Sequence, residues 1–240
     1  MSLYCLPGLE LTFSADLSPL EIVLVAGGRS PDKAWLRTAT ACRSVWAVDG
    51  GLEACLNAAV EPTRLIGDGD SAQAASWERI RARGIPIDRY PVEKDLTDLQ
   101  IALKTLGEEK RGGALVTGCW GGRFDHLFSN VFSLVGSWDW GARVRCMGDE
   151  REFLVCLEGE ETLSLAWKTP PTAISLLALC PVCRDVSIGG VKWPLSKASL
   201  ALCRPYAISN EPVAEELNLS IGEGRLGLYL TWESPKKEGC

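Results

Sequence analysis

Two aspartates stand one residue apart in the run Leu65-Ile66-Gly67-Asp68-Gly69-Asp70-Ser71, where an apolar segment gives way to glycines. Carboxylates that close repel, and each raises the pKa of the other. A divalent cation removes the conflict, because Mg²⁺ takes hard oxygen ligands, commonly one or two carboxylates together with substrate phosphates. Asp49-Gly50-Gly51, Lys94-Asp95-Leu96-Thr97-Asp98 and Gly121-Gly122-Arg123-Phe124-Asp125-His126 have a similar make-up. Their glycines let a backbone approach phosphate oxygens closely. Lys94 and Arg123 supply positive charge, the arginine as a bidentate fork. Together these residues suit a metal platform for a nucleoside triphosphate. Each stretch alone also has an ordinary explanation. Gly and Asp are turn residues, Ser71 can cap a helix, Asp95 can cap one with Asp98 three residues on, and Asp125 favours a helix N-terminus.

What brings the four stretches together is the pattern of elements between them. EIVLVAGG (21–28), SVWAVDGG (44–51), RLIGDGD (64–70), IPIDRYPV (85–92), GALVTGC (113–119) and ARVRCMGD (142–149) read as strands. Helical segments alternate with them, the first opening at Ser30-Pro31 and a later one showing Leu96, Leu99, Leu103 and Leu106 on one face. Continuous apolar strands alternating with helices predict a mainly parallel, Rossmann-like sheet covered on both faces. Ligands of such sheets bind beyond the carboxyl ends of the strands, where all four stretches fall. After residue 149 the pattern changes. FLVCLEG, TLSLAWK, AISLLALC, DVSIGGVKW, ASLALC, ELNLSIGE and RLGLYLTW are short strand-like segments with no helix-length period between them. The expected organisation is α/β over residues 21–149, then an all-β sandwich or jelly-roll-like domain over 150–240. Residues 1–20 are an extension of uncertain structure.

Composition narrows the classes. The chain has 240 residues, 46% of them hydrophobic, and a net charge of −6. The acidic balance argues against nucleic acid as a partner. No apolar run reaches the roughly 18 residues of a membrane span. The first residues lack a basic region followed by an apolar one, so no signal peptide is expected and a cytoplasmic location is. Of the ten cysteines, most sit singly in apolar runs, as reduced thiols do. Cys180-Pro-Val-Cys183 is a CxxC, but there is no second one, and the single histidine, His126, lies far away in sequence. No G-x-x-x-x-G-K-[ST] occurs, which excludes a P-loop, and no G-x-S-x-G nucleophile elbow accompanies His126.

The ordered set Asp49 to Gly51, Gly67 to Ser71, Lys94 to Asp98 and Thr117 to His126 resembles the thiamine pyrophosphokinase family. Gly190-Val191-Lys192-Trp193-Pro194-Leu195 and Ile208-Ser209-Asn210-Glu211 are similar to that family's later segments, so the likeness runs in order from about residue 22 to the end. It implies transfer of pyrophosphate from ATP to the hydroxyl of thiamine, giving thiamine diphosphate and AMP. It also implies a homodimer, with 150–240 as the thiamine-binding and dimerisation domain and thiamine in a cleft shared between subunits.

Residue roles follow from the resemblance. Asp68, Asp70 and Asp98 would hold Mg²⁺, and Asp70, Asp98, Asp125 and Arg123 would serve catalysis. Gly28, Asp49, Gly50, Lys94, Thr97, Gly121, Gly122 and Arg123 would meet ATP. Gln100, Ser209 and Asn210 would meet thiamine. Which aspartate takes the hydroxyl proton is open. The aromatic that family members often place just beyond the Ser-Asn pair is missing from Glu211–Glu215, and Trp193, Tyr206 and Trp232 are the candidates to replace it. The alternatives are a pyrophosphokinase of another heterocyclic alcohol, such as a hydroxymethylpterin, and a non-catalytic nucleotide or thiamine sensor.

Overall fold

The structure, a computed structural model, describes residues 1–69, 74–91 and 93–232. It falls into two compact units, one of residues 18–149 and the other of residues 1–17 with 150–240. Strands β1 (Ser2–Leu6) and β2 (Leu9–Phe13) open the chain. The 18–149 unit then runs β3 (Leu20–Val25), α1 (Lys33–Thr40), β4 (Ser44–Val48), α2 (Gly51–Asn57), β5 (Arg64–Gly67), α3 (Ala74–Ala82), β6 (Ile87–Arg89), α4 (Asp98–Glu108), β7 (Gly113–Thr117), α5 (Phe124–Gly136), a 3-10 turn (Ser137–Trp140) and β8 (Cys146–Gly148).

Within this unit the strands lie in the order β8-β7-β3-β4-β5-β6 and every ladder is parallel. Ile22, Val23, Leu24 and Val25 of β3 are all buried, as are Ala114, Leu115 and Val116 of β7. Both faces of these strands are covered, which is why their sequences run apolar without alternation. From β3 the chain steps outward through β4, β5 and β6, then crosses back to β7 on the other side of β3. The order therefore reverses between β3 and β7, and a crevice opens there at the carboxyl ends of the strands.

Helix starts differ from the sequence expectation in detail. Asp32, not Ser30, caps α1, its carboxylate accepting from the amides of Ala34 and Trp35 at 2.8 and 3.0 Å. Thr97, not Asp95, caps α4: its hydroxyl accepts from Gln100 N while Gln100 Oε1 accepts from Thr97 N. Asp98 is the first helical residue and its carboxylate turns to Lys94 instead. Ser71 lies outside the described residues.

The second unit contains β1, β2, β9 (Glu152–Glu158), β10 (Glu161–Trp167), β11 (Ala173–Ala178), β12 (Val182–Gly189), β13 (Leu195–Ala201), β14 (Glu216–Ile221) and β15 (Arg225–Thr231). Its ladders are antiparallel, in the orders β1-β2-β10-β14-β12-β13 and β11-β15-β9. The whole is thus a mixed α/β fold, with parallel pairing confined to the 18–149 unit. Among the described residues no helix is long and apolar enough to cross a membrane.

The N-terminal segment, expected as an extension of uncertain structure, is a hairpin built into this sheet. β2 pairs with β10, Leu11 opposite Leu165 and Phe13 opposite Leu163, and Leu11 and Phe13 are wholly buried. Leu11→Ala should therefore cost about 2–5 kcal/mol, as deletion of a buried leucine does. Urea unfolding of the variant checks this. A midpoint equal to wild type would mean that the hairpin contributes nothing to the fold.

Candidate active site

The crevice at the strand ends is a hollow of about 540 Å³, within the roughly 300–1,000 Å³ of small-molecule sites. Its floor is backbone brought unusually close. Gly28 N donates to Gly118 O at 2.6 Å and Arg29 N to Trp120 O at 2.7 Å, so the loop after β3 is stitched to the loop after β7. A Cβ on Gly28 would stand 2.7 Å from Gly118 O, so no other residue fits this approach without displacement. Arg29 clamps the same loop from outside, donating from two nitrogens to the buried carboxylate of Asp149 at 2.8–3.3 Å.

Asp49 ends β4 in a left-handed conformation, φ 48°, which aspartate tolerates better than most residues. Its N–H donates to Ile66 O at 2.8 Å, fixing it to the end of β5. Gly51 then starts α2 so tightly beneath β3 that a Cβ there would run into the Val25 carbonyl. Asp49 Oδ1 is buried and meets no hydrogen-bond donor among the described residues.

Lys94 stands between two further carboxylates. Its Nζ donates to Asp68 Oδ2 at 2.6 Å and lies 3.2 Å from Asp98 Oδ1. The Lys94 and Asp68 side chains are only 13% and 6% exposed, so this is a desolvated ion pair. Burial pulls the lysine pKa down, but the two carboxylates outweigh it and the net shift is upward. Asp98 moves upward as well. Burial is the main cause, the charges of Asp68 and Asp49 add to it, and Lys94 only partly offsets them. Asp98 thus feels the charges of both Asp68 and Asp49 at this edge.

Arg123 and Asp125 are different in kind. They pair with each other at 2.5 and 3.1 Å, 75% and 60% exposed, and Asp125 also accepts from His126 N at 3.0 Å. Arg123 lines the hollow and Asp125 does not. The pairing holds the Asp125 carboxyl below its usual range and the Arg123 guanidinium above its own.

Of the residues assigned from sequence, Gly28, Asp49, Lys94, Thr97, Asp98, Gly121, Gly122 and Arg123 line this hollow. Asp68 reaches it through Lys94, and Gly50 follows Asp49 as the residue before α2. Thr97 and Gln100 are engaged in the capping box, and Asp70 lies outside the described residues. Ser129 and Asn130, also on the wall, were not singled out from sequence; Asn130 donates to Cys119 O at 3.0 Å. Their sign was the continuation of the polar side of α5 one turn beyond Asp125.

Ser209 and Asn210 belong to the second unit. Ser209 is left-handed, φ 58°, and its N–H donates to Ser175 Oγ at 3.0 Å. The Asn210 amide grips its own neighbourhood: Oδ1 accepts from Trp193 N and Glu211 N, and Nδ2 donates to Trp193 O at 2.8 Å. It thereby positions Trp193. Trp193 and Tyr206, each more than half exposed, rim an apolar hollow of about 180 Å³ that Asn210 also lines. Trp232 donates to Thr169 O and is absent from that lining.

The first hollow is that of an α/β protein with hard oxygen donors, and with one buried and one exposed cation, at a topological switch point, suited to a polyphosphate with a divalent cation. Comparison with known proteins narrows this. The family model "Thiamin pyrophosphokinase, catalytic domain" matches residues 36–145. The thiamine pyrophosphokinase of Bacillus subtilis (strain 168) is 27% identical over 209 residues, 85% of this chain and 95% of that protein. The crystal structure of thiamine pyrophosphokinase from B. subtilis superposes with a TM-score of 0.77 at 24% identity, over 89% of this chain and 100% of that one. The Geobacillus thermodenitrificans thiamin pyrophosphokinase gives 0.75 at 25%, over 91% and 99%. The resemblance to the thiamine pyrophosphokinase family read from the sequence holds in catalytic-domain signature, along the chain and in fold.

Lys94 occupies the position between carboxylates that a divalent cation would compete for. Lys94→Met should cost about 3–5 kcal/mol in metal-free buffer, because the buried Asp68 loses the ammonium at its Oδ2. Added Mg²⁺ should then raise the melting temperature of the variant more than that of wild type. Equal responses to Mg²⁺ would separate the metal from these carboxylates.

Proposed function

We propose that this chain transfers the β,γ-pyrophosphoryl group of ATP to the hydroxyl of thiamine, releasing AMP. The Asp68–Lys94–Asp98 arrangement, set at the strand ends of a chain similar throughout to thiamine pyrophosphokinases, carries this reading. On this view residues 18–149 are the Rossmann-like nucleotide half. The β-rich unit, read as a sandwich, takes the thiamine rings. The relatives named above are thiamine pyrophosphokinases, which disfavours a hydroxymethylpterin or a sensor role.

The donor set suits Mg²⁺: all its groups are hard oxygens, and Asp49 Oδ1 is buried without a donor. Among the described residues no three such groups cluster closely enough to hold a metal. Asp68 and Asp98 would hold it together with Asp70, as the resemblance implies. Bound there, Mg²⁺ would neutralise phosphate charge. The chain's own groups do the rest. Gly28, Gly121 and Gly122 let the backbone approach phosphate oxygens, Lys94 fixes charge at the floor, and Arg123 supplies a fork at the rim. Such positioning and preorganised charge carry most of phosphoryl transfer. Trp193 and Tyr206 are proposed to take the place of the missing ring-stacking aromatic.

Incubation with ATP, thiamine and Mg²⁺ should yield AMP and thiamine diphosphate in equal amounts. ADP as the product, or no turnover, would reject the reaction. Asp98→Asn should keep the fold and lose about 10²–10³ in kcat. Trp193→Ala should raise KM for thiamine while leaving that for ATP unchanged; an unchanged thiamine KM would place the rings elsewhere.

A homodimer is also proposed. Phe124 and Phe128 on α5 are 77% and 54% exposed and their rings touch, an apolar surface of the kind that associates. Sedimentation at working concentration should give twice the 26.0 kDa of the chain. A single species of monomer mass would remove the dimer without touching the chemistry.

A further inference from the structure

The CxxC of the second unit has no part in the chemistry above. Cys180 lies in the turn between β11 and β12, and Cys183 is the second residue of β12. Their Sγ atoms are 3.7 Å apart and neither is in a disulfide. Their environments are unequal. Cys183 is wholly buried and its thiol donates to Arg225 O at 3.0 Å. Cys180 is partly exposed and opens onto a hollow of about 540 Å³ beside Pro181, Gly222 and Gly224. Arg225 N–H points at the Cys180 sulfur at 3.2 Å, so the atom that would carry charge in an attack already has a donor. At Gly224 even a Cβ would crowd that sulfur, at 2.8 Å.

We propose that Cys180 and Cys183 form a reversible dithiol–disulfide modification site, oxidised by small-molecule disulfides. The geometry divides the labour. The Cys180 thiolate, its proton released to water, attacks one sulfur of a disulfide R–S–S–R. A Cys180–S–S–R bond forms, the R–S–S–R bond breaks, and the departing RS⁻ takes up a proton as RSH. The Cys183 thiol then loses its proton and its sulfur attacks Sγ of Cys180, expelling the second RS⁻ as RSH. Two cysteine thiols are oxidised and one disulfide is reduced to two thiols.

Burial, with the neighbouring Cys180 sulfur adding to it, pushes the Cys183 thiol up to about 12. That makes Cys183 a slow partner for external oxidants and leaves its reaction to the sulfur beside it. The bond closes a very short loop, so it restricts the unfolded chain little and stays open to reduction. A metal is the weaker reading: zinc sites take about four ligands, and no group of three candidate ligands exists among the described residues.

The test is exposure of the reduced, folded full chain to oxidised glutathione, followed by alkylation and peptide mass mapping. Wild type should lose two hydrogens in a Cys180–Cys183 link, and dithiothreitol should restore both thiols. Cys183→Ser should instead accumulate glutathione on Cys180. Cys180→Ser should form neither the link nor an adduct at Cys183. Circular dichroism of both variants verifies the fold; should either serine variant unfold, the corresponding alanine variant replaces it. Modification of the exposed Cys42 or Cys203 without a 180–183 link would overturn the proposal. So would an adduct at Cys183 in Cys180→Ser, or no reaction at either residue of the pair.

Discussion

Three carboxylates share the carboxyl ends of the parallel strands of residues 18–149, and one buried ammonium stands between two of them. Such an arrangement does not stabilise a fold. Desolvation of a buried ion pair consumes most of what attraction returns, and burial raises the Asp98 pKa against the pull of Lys94. The cost is carried by the strands around it. The interiors of β3, β4 and β7 are apolar and packed on both faces, with Glu21, Ser44 and Thr117 near their ends, and β4 runs directly into Asp49. The electrostatic strain is thereby concentrated in a few strand-end turns, while the register of the sheet rests on packing that none of these charges touches.

The same edge needs two loops to pass within hydrogen-bonding distance, and strand order makes this possible. β3 and β7 are neighbours although four helices and three strands separate them in the chain. Gly28 against Gly118 is what that adjacency looks like at the level of atoms. The Arg29–Asp149 pair ties the loop after β3 to the residue just beyond β8, so the floor of the hollow is held from strands on one side and from Asp49 on the other.

Much of this could be read from sequence because it is local. Apolar runs, glycine turns and helix periods lie within a few residues of one another, and all seven strand segments expected after residue 149 overlap observed strands. The N-terminal hairpin was missed although its signal was present: Leu9, Leu11 and Phe13 alternate with Glu10 and Thr12 after a Pro7-Gly8 turn. Five residues of alternation weigh little until a partner strand is known, and that partner, β10, lies about 150 residues on. Both helix caps lie two positions beyond the expected residue for a similar reason. Ser30 and Asp95 are adequate caps, but Asp32 and Thr97 offer better-placed acceptors, and Asp98 is drawn to Lys94. Spacing could gather Asp49, Asp68, Asp98 and Lys94 at one edge. It could not say that the lysine would sit between the carboxylates, or that Asp125 would be taken up by Arg123.

That last difference bears on how a polyanion would be received under the proposed reaction. Lys94 is buried against Asp68 and Asp98, so a phosphate has no means to draw it out and only another cation can compete for its place. Among the described residues Arg123 pairs with an exposed Asp125, and exchanging one exposed partner for another costs little because water screens both states. A phosphate chain entering the hollow can therefore draw the Arg123 fork from Asp125 while Lys94 keeps its place. Under the proposed reaction the mobile charge would act at the rim, where substrate would arrive, and the fixed charge at the floor, where solvent is excluded. A site with both cations exposed would bind anions without ordering them, and one with both buried would have to break a desolvated pair in every cycle.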